Sequence, residues 1–230
     1  MRISAYSSTL FDSKIACIII LMCLIPLFTG LVLAQDFSIG IKGGAKLTND
    51  PNEHKGDVTW FPESKAYTVG PVLEITFSSI SVEIDTLYKR FGARYFERGI
   101  HTPLFSNYTR RDRLNSWEFP ILLKYSFPNL SNFYISGGYA FNRMSGSKNI
   151  EFMALYGDPY QRTDSIGYSN SGFLIGSGIE FKAGLLKVSP ELRYTRWLND
   201  LDESWVAPPI NKNRIEILIG IMWDLSKRRS

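Results

Sequence analysis

Few side chains in this chain of 230 residues are equipped for catalysis. The only histidines are His54 and His101. His54 has Asp50, Glu53 and Asp57 as sequence neighbours, and His101 has Ser106 and Asp112. A nucleophilic triad needs a histidine that takes a proton from a hydroxyl and a carboxylate that orients the ring. Such residues could act on lipid at the rim of a barrel, but neither stretch resembles a nucleophile elbow. Two histidines so far apart do not suggest a metal site either. Cys17 and Cys23, the only cysteines, fall in an apolar N-terminal segment, which leaves no disulfide framework and no thiolate ligands. No catalytic residue, metal or cofactor is expected.

The remaining reactive groups are charges in a regular pattern. Lys42, Glu74, Glu83, Asp85, Glu118, Lys124, Glu180, Lys187, Glu191, Arg193, Arg214 and Glu216 each alternate with apolar or aromatic neighbours. In SWEFPILLKY (residues 116–125), Trp117, Phe119, Ile121, Leu123 and Tyr125 alternate with Ser116, Glu118, Pro120, Leu122 and Lys124. A period of two gives a strand one apolar and one polar face, whereas a helix would mix the two classes around its circumference. Charges this regular could pair with one another, line a pore or relay protons.

Eight segments share the pattern, near residues 37–42, 67–77, 80–89, 116–125, 132–142, 172–181, 186–195 and 214–224. Most have the length of a tilted strand crossing hydrocarbon. Their connections alternate in length. Residues 48–66, 90–114, 143–168 and 197–212 are long links, whereas those near Ser78, Asn129 and Gly184 are short. In an up-and-down barrel this sorting places every long loop at one end, as in outer-membrane barrels. Eight strands enclose room for little beyond their own side chains. An inward face rich in Tyr, Phe, Trp and Ile would crowd that space, while a polar face interspersed with glycines such as Gly40, Gly70, Gly138 and Gly176 suits it. The sequence therefore predicts an all-β, eight-stranded antiparallel up-and-down transmembrane β-barrel with the apolar face toward lipid. Its interior is then a charge-paired plug and not a wide channel. Pro71, Pro120 and Pro190 fit poorly, because proline cannot donate to the ladder and a closed barrel has no edge to hold it.

The ends agree with export. Arg2 and Lys14 precede twenty uncharged residues, 15–34, that finish in Val32-Leu33-Ala34. This is the layout of a signal peptide cleaved after Ala34, although the stretch is also long enough for an uncleaved anchor helix. Met22 before Cys23 does not suit lipidation. The expected organisation is a signal peptide at 1–34, a barrel at 35–225 and a basic tail at 226–230. Without the leader the net charge falls from +4 to +3, too small to suggest nucleic acid. Charge is instead local. Residues 89–113 hold seven basic and two acidic residues, a net +5, interleaved with Phe91, Tyr95, Phe96, Phe105 and Tyr108. Arg94, Arg98, Arg110 and Arg111 of this stretch are candidates for holding lipopolysaccharide phosphates by bidentate hydrogen bonds.

WEFPILLKY resembles the Glu-(Ile/Phe)-Pro-apolar-apolar-apolar-Lys-Tyr strand of PorT-like outer-membrane β-barrel domains. FSIGIKGGAKL, FYISGGYAFN, GSGIEF and PELRYTRWLND add to the resemblance, which covers residues 35–225. It implies a single eight-stranded porin-family barrel and is nearly silent about activity. The chain's end resembles the signal that outer-membrane assembly machinery reads on last strands, matched by Gly220, Trp223 and Leu225, with Leu218 and the tail SKRRS as departures. The expected function is a structural or interaction role in the outer membrane, with membrane lipid and the assembly machinery as partners. A rim-acting lipid hydrolase or acyltransferase and a soluble periplasmic ligand-binding barrel are the alternatives.

Overall fold

The computed structural model describes residues 36–48, 54–55, 58–102, 105–127, 129–130, 132–154, 160–198 and 211–225. The expected leader and basic tail lie outside these residues. The strands are β1 (Asp36–Lys46), β2 (His54–Lys55), β3 (Val58–Pro62), β4 (Tyr67–Phe77), β5 (Ile80–Asp85) and β6 (Leu87–Thr102). They continue with β7 (Phe105–Ser126), β8 (Phe133–Ala154), β9 (Tyr160–Ile179), β10 (Phe181–Ala183), β11 (Leu186–Trp197) and β12 (Asn213–Asp224). β6 prolongs β5 past Thr86, and β10 prolongs β9 past Glu180, so the wall has eight members. The ring runs β1-β12-β11-β9-β8-β7-β5-β4 and closes where β1 pairs with β4. Ile41 thus faces Ile221 on one side and Pro71 on the other. The architecture is a closed, all-antiparallel, eight-stranded up-and-down barrel.

Alternation decides which way each side chain points. Along β12 exposed and buried residues alternate without a break. Ile219 is 48% exposed and the adjacent Leu218 is 0% exposed. The same phase turns Ile39, Ile41, Ile121, Leu123, Tyr139, Phe173, Ile175 and Ile217 outward. It turns the charged series inward, where only a tightly coiled wall leaves room. A Cβ added at Gly138 would lie 2.0 Å from the Ile121 carbonyl oxygen, and one at Gly40 would lie 2.0 Å from that of Ile221. Turns at one end are short, and Ser78, Asn132 and Gly184 take positive φ angles there.

At the other end the structure corrects the sequence reading. Residues 90–102, 105–114, 143–154 and 160–168, expected as loop, are strand. β7 and β8 are each 22 residues long against 11 for β1. Roughly half of β7 and β8 therefore continues beyond the length of β1 as a ribbon. The β2–β3 hairpin extends this ribbon by pairing Phe61 with Arg94 of β6. The alternation does not stop at residues 90 and 143 but changes content. Exposed positions become Arg90, Arg113, Asn115, Arg143 and Ser145, and inner positions become Phe91, Ala93, Tyr95, Leu114 and Met144. Their polar composition suggests loop because the outward positions carry polar groups while the apolar ones turn inward.

The prolines have a common explanation. The β5–β7 ladder ends at Ile84↔Ile121 and resumes as β6–β7 at Leu87↔Glu118, which leaves Pro120 beside the Asp85–Thr86 interruption. On the other side of Thr86, Pro71 supplies only its carbonyl, which accepts from the Thr86 N–H at 3.0 Å. Pro190 sits where the pairing of β11 passes from β9 to β10. Each missing donor faces a break that the sheet already contains.

Candidate functional site

All twelve of the charged residues singled out from the sequence are buried inside the wall. They form two networks. In the larger, Lys124 Nζ donates to Glu74 at 2.8 Å, Glu83 at 3.1 Å and Glu180 at 3.0 Å. Lys187 joins it through Glu74 and Glu180, and Lys42 bonds Glu83 and, at 2.9 Å, Glu191. Arg193 donates from Nε to Glu191 at 2.7 Å and lies 2.9 Å from Asp85 through Nη1. In the smaller network Arg214 holds Glu118 and Glu216. A charge taken out of water is tolerated only when it is paired and hydrogen-bonded, and the strand phase delivers both signs to one interior.

Residues outside the sequence-derived set complete these networks. Lys89 Nζ donates to Glu118 at 2.6 Å and Glu216 at 2.9 Å. Alternation sets it on the inward face with Ser81, Glu83, Asp85 and Leu87, and only its place in the basic stretch kept it out of the charged set. Thr68 donates to Glu216 at 2.9 Å. The Tyr134 ring lies 4.2 Å from Lys124 Nζ, and Trp197 lies 4.9 Å from the Arg214 guanidinium. Apolar layers separate the charged ones. Along β7 the inner face runs Lys124, Leu122, Pro120, Glu118, Ser116, Leu114 and Asp112. Leu122 packs with Ala140, Leu174 and Trp197, whereas Leu114 packs with Phe91 and Met144.

The four arginines proposed for lipopolysaccharide do not share a face. Arg110 is a correction: it points inward, is 3% exposed, and donates from Nε to Asp112 at 2.8 Å. Being an even-numbered residue of β7, it shares the phase of Leu114 and not that of Arg111. Arg94 and Arg111 face outward and both hold Glu63 of the first connection, at 2.8 and 3.1 Å. The Arg111 hydrogen bond holds the Glu63 carboxyl below its ordinary range. The side chain of Arg98 lies outside the described residues. Residues that share the outward face, Arg90, Arg113 and Arg143, were not proposed as contacts. Arg90 and Arg113 sat within the basic stretch, but Arg143 lies on another strand.

The side chains of His54, His101 and Ser106 lie outside the described residues. Asp112, however, is bound to Arg110 and stands six residues down β7 from Ser106, roughly 20 Å along an extended strand. Trp223 of β12 and Leu225 just after it are exposed, while Gly220 faces the interior beside Ser189.

No family model and no curated protein matches the chain. Solved structures with a similar fold include neisserial surface protein A, at 10% identity and a TM-score of 0.39, covering 83% of this chain and 97% of that one. They also include Ail, the attachment invasion locus protein of Yersinia pestis, at 8% identity and a TM-score of 0.37, covering 82% and 95%. Ail in complex with the heparin analogue sucrose octasulfate gives 11% identity and a TM-score of 0.35, covering 82% and 96%.

Proposed function

We propose that this protein is an outer-membrane barrel with a structural or interaction role and no catalytic activity. The observation that carries the reading is the exposed belt of Ile, Leu, Phe, Tyr and Trp around a wall whose interior is ion-paired. Water-soluble monomers rarely expose contiguous apolar surface beyond a few hundred Å². Lipid reverses that preference, because each backbone group is satisfied within the closed ladder and the apolar face meets hydrocarbon. Tyr88 and Trp117, paired across strands with ring centroids 5.2 Å apart, fit the aromatic boundary on the ribbon side. The apolar layers of Leu122 and Leu114 support a sealed plug over a pore, since a hydrated ion would have to cross both. The WEFPILLKY resemblance to PorT-like barrels is in keeping with this reading.

Membrane lipid and, during biogenesis, the outer-membrane assembly machinery are the partners it implies, the latter through Gly220, Trp223 and Leu225. The test is refolding of the mature chain into phosphatidylcholine vesicles, followed by electrophoresis with and without boiling. A heat-sensitive shift in migration is expected, because a closed barrel resists detergent until heated. A monodisperse, water-soluble monomer without detergent would refute the reading in favour of a periplasmic barrel. Mass spectrometry of membrane lipids is expected to show no dependence on His54 or His101.

A further inference from the structure

The outer face of the ribbon changes chemistry within one residue pair of the aromatic boundary. Trp117 is paired with Tyr88 on one side and Arg143 on the other. The next outward pair up the ribbon sets Arg90 against Asn115, and the next sets Gly92 against Arg113. Arg90, Arg113 and Arg143 are exposed. Among the described residues, neither Arg90 nor Arg143 has a side-chain hydrogen bond or ion pair. Among the described residues Arg113 likewise has no side-chain hydrogen bond or ion pair. This contrasts with Arg94 and Arg111, whose guanidinium groups already hold the Glu63 carboxylate. The outward neighbours on β8 and β9 are short: Ser145 and Ser147 on one, Ser165 on the other. Long cations therefore border a shelf of hydroxyls, and above it opens a cleft of about 650 Å³ lined in part by Arg94, Arg111, Arg113 and Thr163.

From this arrangement we infer that the ribbon carries a site for a phosphorylated glycolipid of the outer leaflet, held by Arg90, Arg113 and Arg143. The inference rests on the membrane reading, which sets the height of the arginines. Guanidinium groups bind phosphate through two parallel hydrogen bonds. The three lie on β6, β7 and β8, roughly 10 Å apart across the sheet at the usual strand spacing, and Arg143 is offset from Arg113 by four residues, roughly 13 Å, along it. One phosphate cannot neutralise that spread, so the headgroup carries at least two. Serine hydroxyls donate to and accept from sugar oxygens. Directly below, Phe141 and the edge-to-face pair Tyr139–Phe173 (centroids 5.5 Å apart) offer apolar surface to acyl chains. A soluble polyanion would use the arginines but leave that surface to other lipids, which is why the acylated form is the occupant.

The test uses the mature barrel refolded in phosphatidylcholine vesicles, with folding verified by heat-sensitive migration. The protein is then extracted in detergent and titrated by native mass spectrometry with bis-phosphorylated lipid A, the same lipid without phosphates, and the deacylated phosphosaccharide. Bis-phosphorylated lipid A is expected to bind in a salt-sensitive manner. Removing both phosphates, or introducing R90Q, R113Q and R143Q together, is expected to weaken binding by about tenfold or more. R143E alone serves as a second variant should the triple one fold poorly, and is expected to act in the same direction. Equal binding by a folded variant, or by the dephosphorylated lipid, would overturn the site. Equal binding of the deacylated saccharide would overturn its assignment to a lipid. A wild-type chain that fails to fold in phosphatidylcholine would refute the membrane reading and the site with it, whereas one that folds without binding lipid A refutes the site alone.

Discussion

The belt and the ribbon are made from the same strands, and they are inside out with respect to each other. In the belt, β7 turns Phe119, Ile121 and Leu123 outward and Glu118 and Lys124 inward. A few residues up the same strand, Arg111, Arg113 and Asn115 point outward and Leu114 inward. The backbone phase is unbroken through both, so the difference lies in the surroundings each length was selected against. On the membrane reading proposed above, hydrocarbon lies outside the belt, where apolar groups are solvated and charges are left to pair within. Where water lies outside, the ordinary preference returns and Phe91, Leu114 and Met144 form a small core.

The sharpest way to break this comparison is to remove one partner from the belt's interior. Lys42→Met leaves Glu83, Asp85 and Glu191 short of a cation. It should cost about 3–5 kcal/mol in reversible denaturant titration in vesicles, because uncompensated buried charge is more costly than an absent pair. A loss below about 1 kcal/mol would mean that water reaches the network.

Next comes the outer face. Ile219→Lys, in the belt, should cost about 2–4 kcal/mol near the bilayer midplane. Ser147→Lys, on the outer face of the ribbon, should stay within about 0.5 kcal/mol. Leu218→Lys, pointing inward opposite Glu191, is expected to disturb assembly less than Ile219→Lys. Equal costs at 219 and 147 would remove the distinction between the two solvents.

The ribbon's own core gives a smaller, local effect. Leu114→Ala should cost roughly 2 kcal/mol, the lower end for such truncations. Hydrogen exchange is expected to quicken in the upper parts of β6, β7 and β8 while the belt amides stay protected. Faster exchange throughout the barrel would show that ribbon and belt unfold as one unit.

The smallest effect concerns the attachment of the β2–β3 hairpin. Its Glu63 carboxyl is held low by Arg111, so the folded state prefers the ionised form. The stabilisation is complete above the ordinary glutamate value of about 4.3 and is lost as pH falls through the depressed folded value. An exposed pair of this kind contributes under about 1 kcal/mol, and Glu63→Gln should cost no more. An NMR titration placing the Glu63 carboxyl at or above its ordinary value would remove the pair.

Alternation along single segments was enough to define eight strands, the face each residue takes, the short turns at one end, and the twelve inward charges from Lys42 to Glu216. This information is local, because a strand's period of two is imposed by its own backbone. Partnership is not local. Lys42 meets Glu191 across 149 residues, and Lys89 meets Glu216 across 127, only because β1 closes on both β4 and β12 and the strands are staggered. The long polar links concealed strand for the same reason: in isolation, Arg111-Asp112-Arg113 reads as a solvated loop. Only the assembled ribbon separates Asp112, bound to Arg110 inside, from the arginines that flank it outside. Prolines looked out of place until the sheet supplied the breaks that accommodate them. Sequence records which way a side chain points; ring closure and stagger decide what it finds there, because they alone bring distant strands to one height.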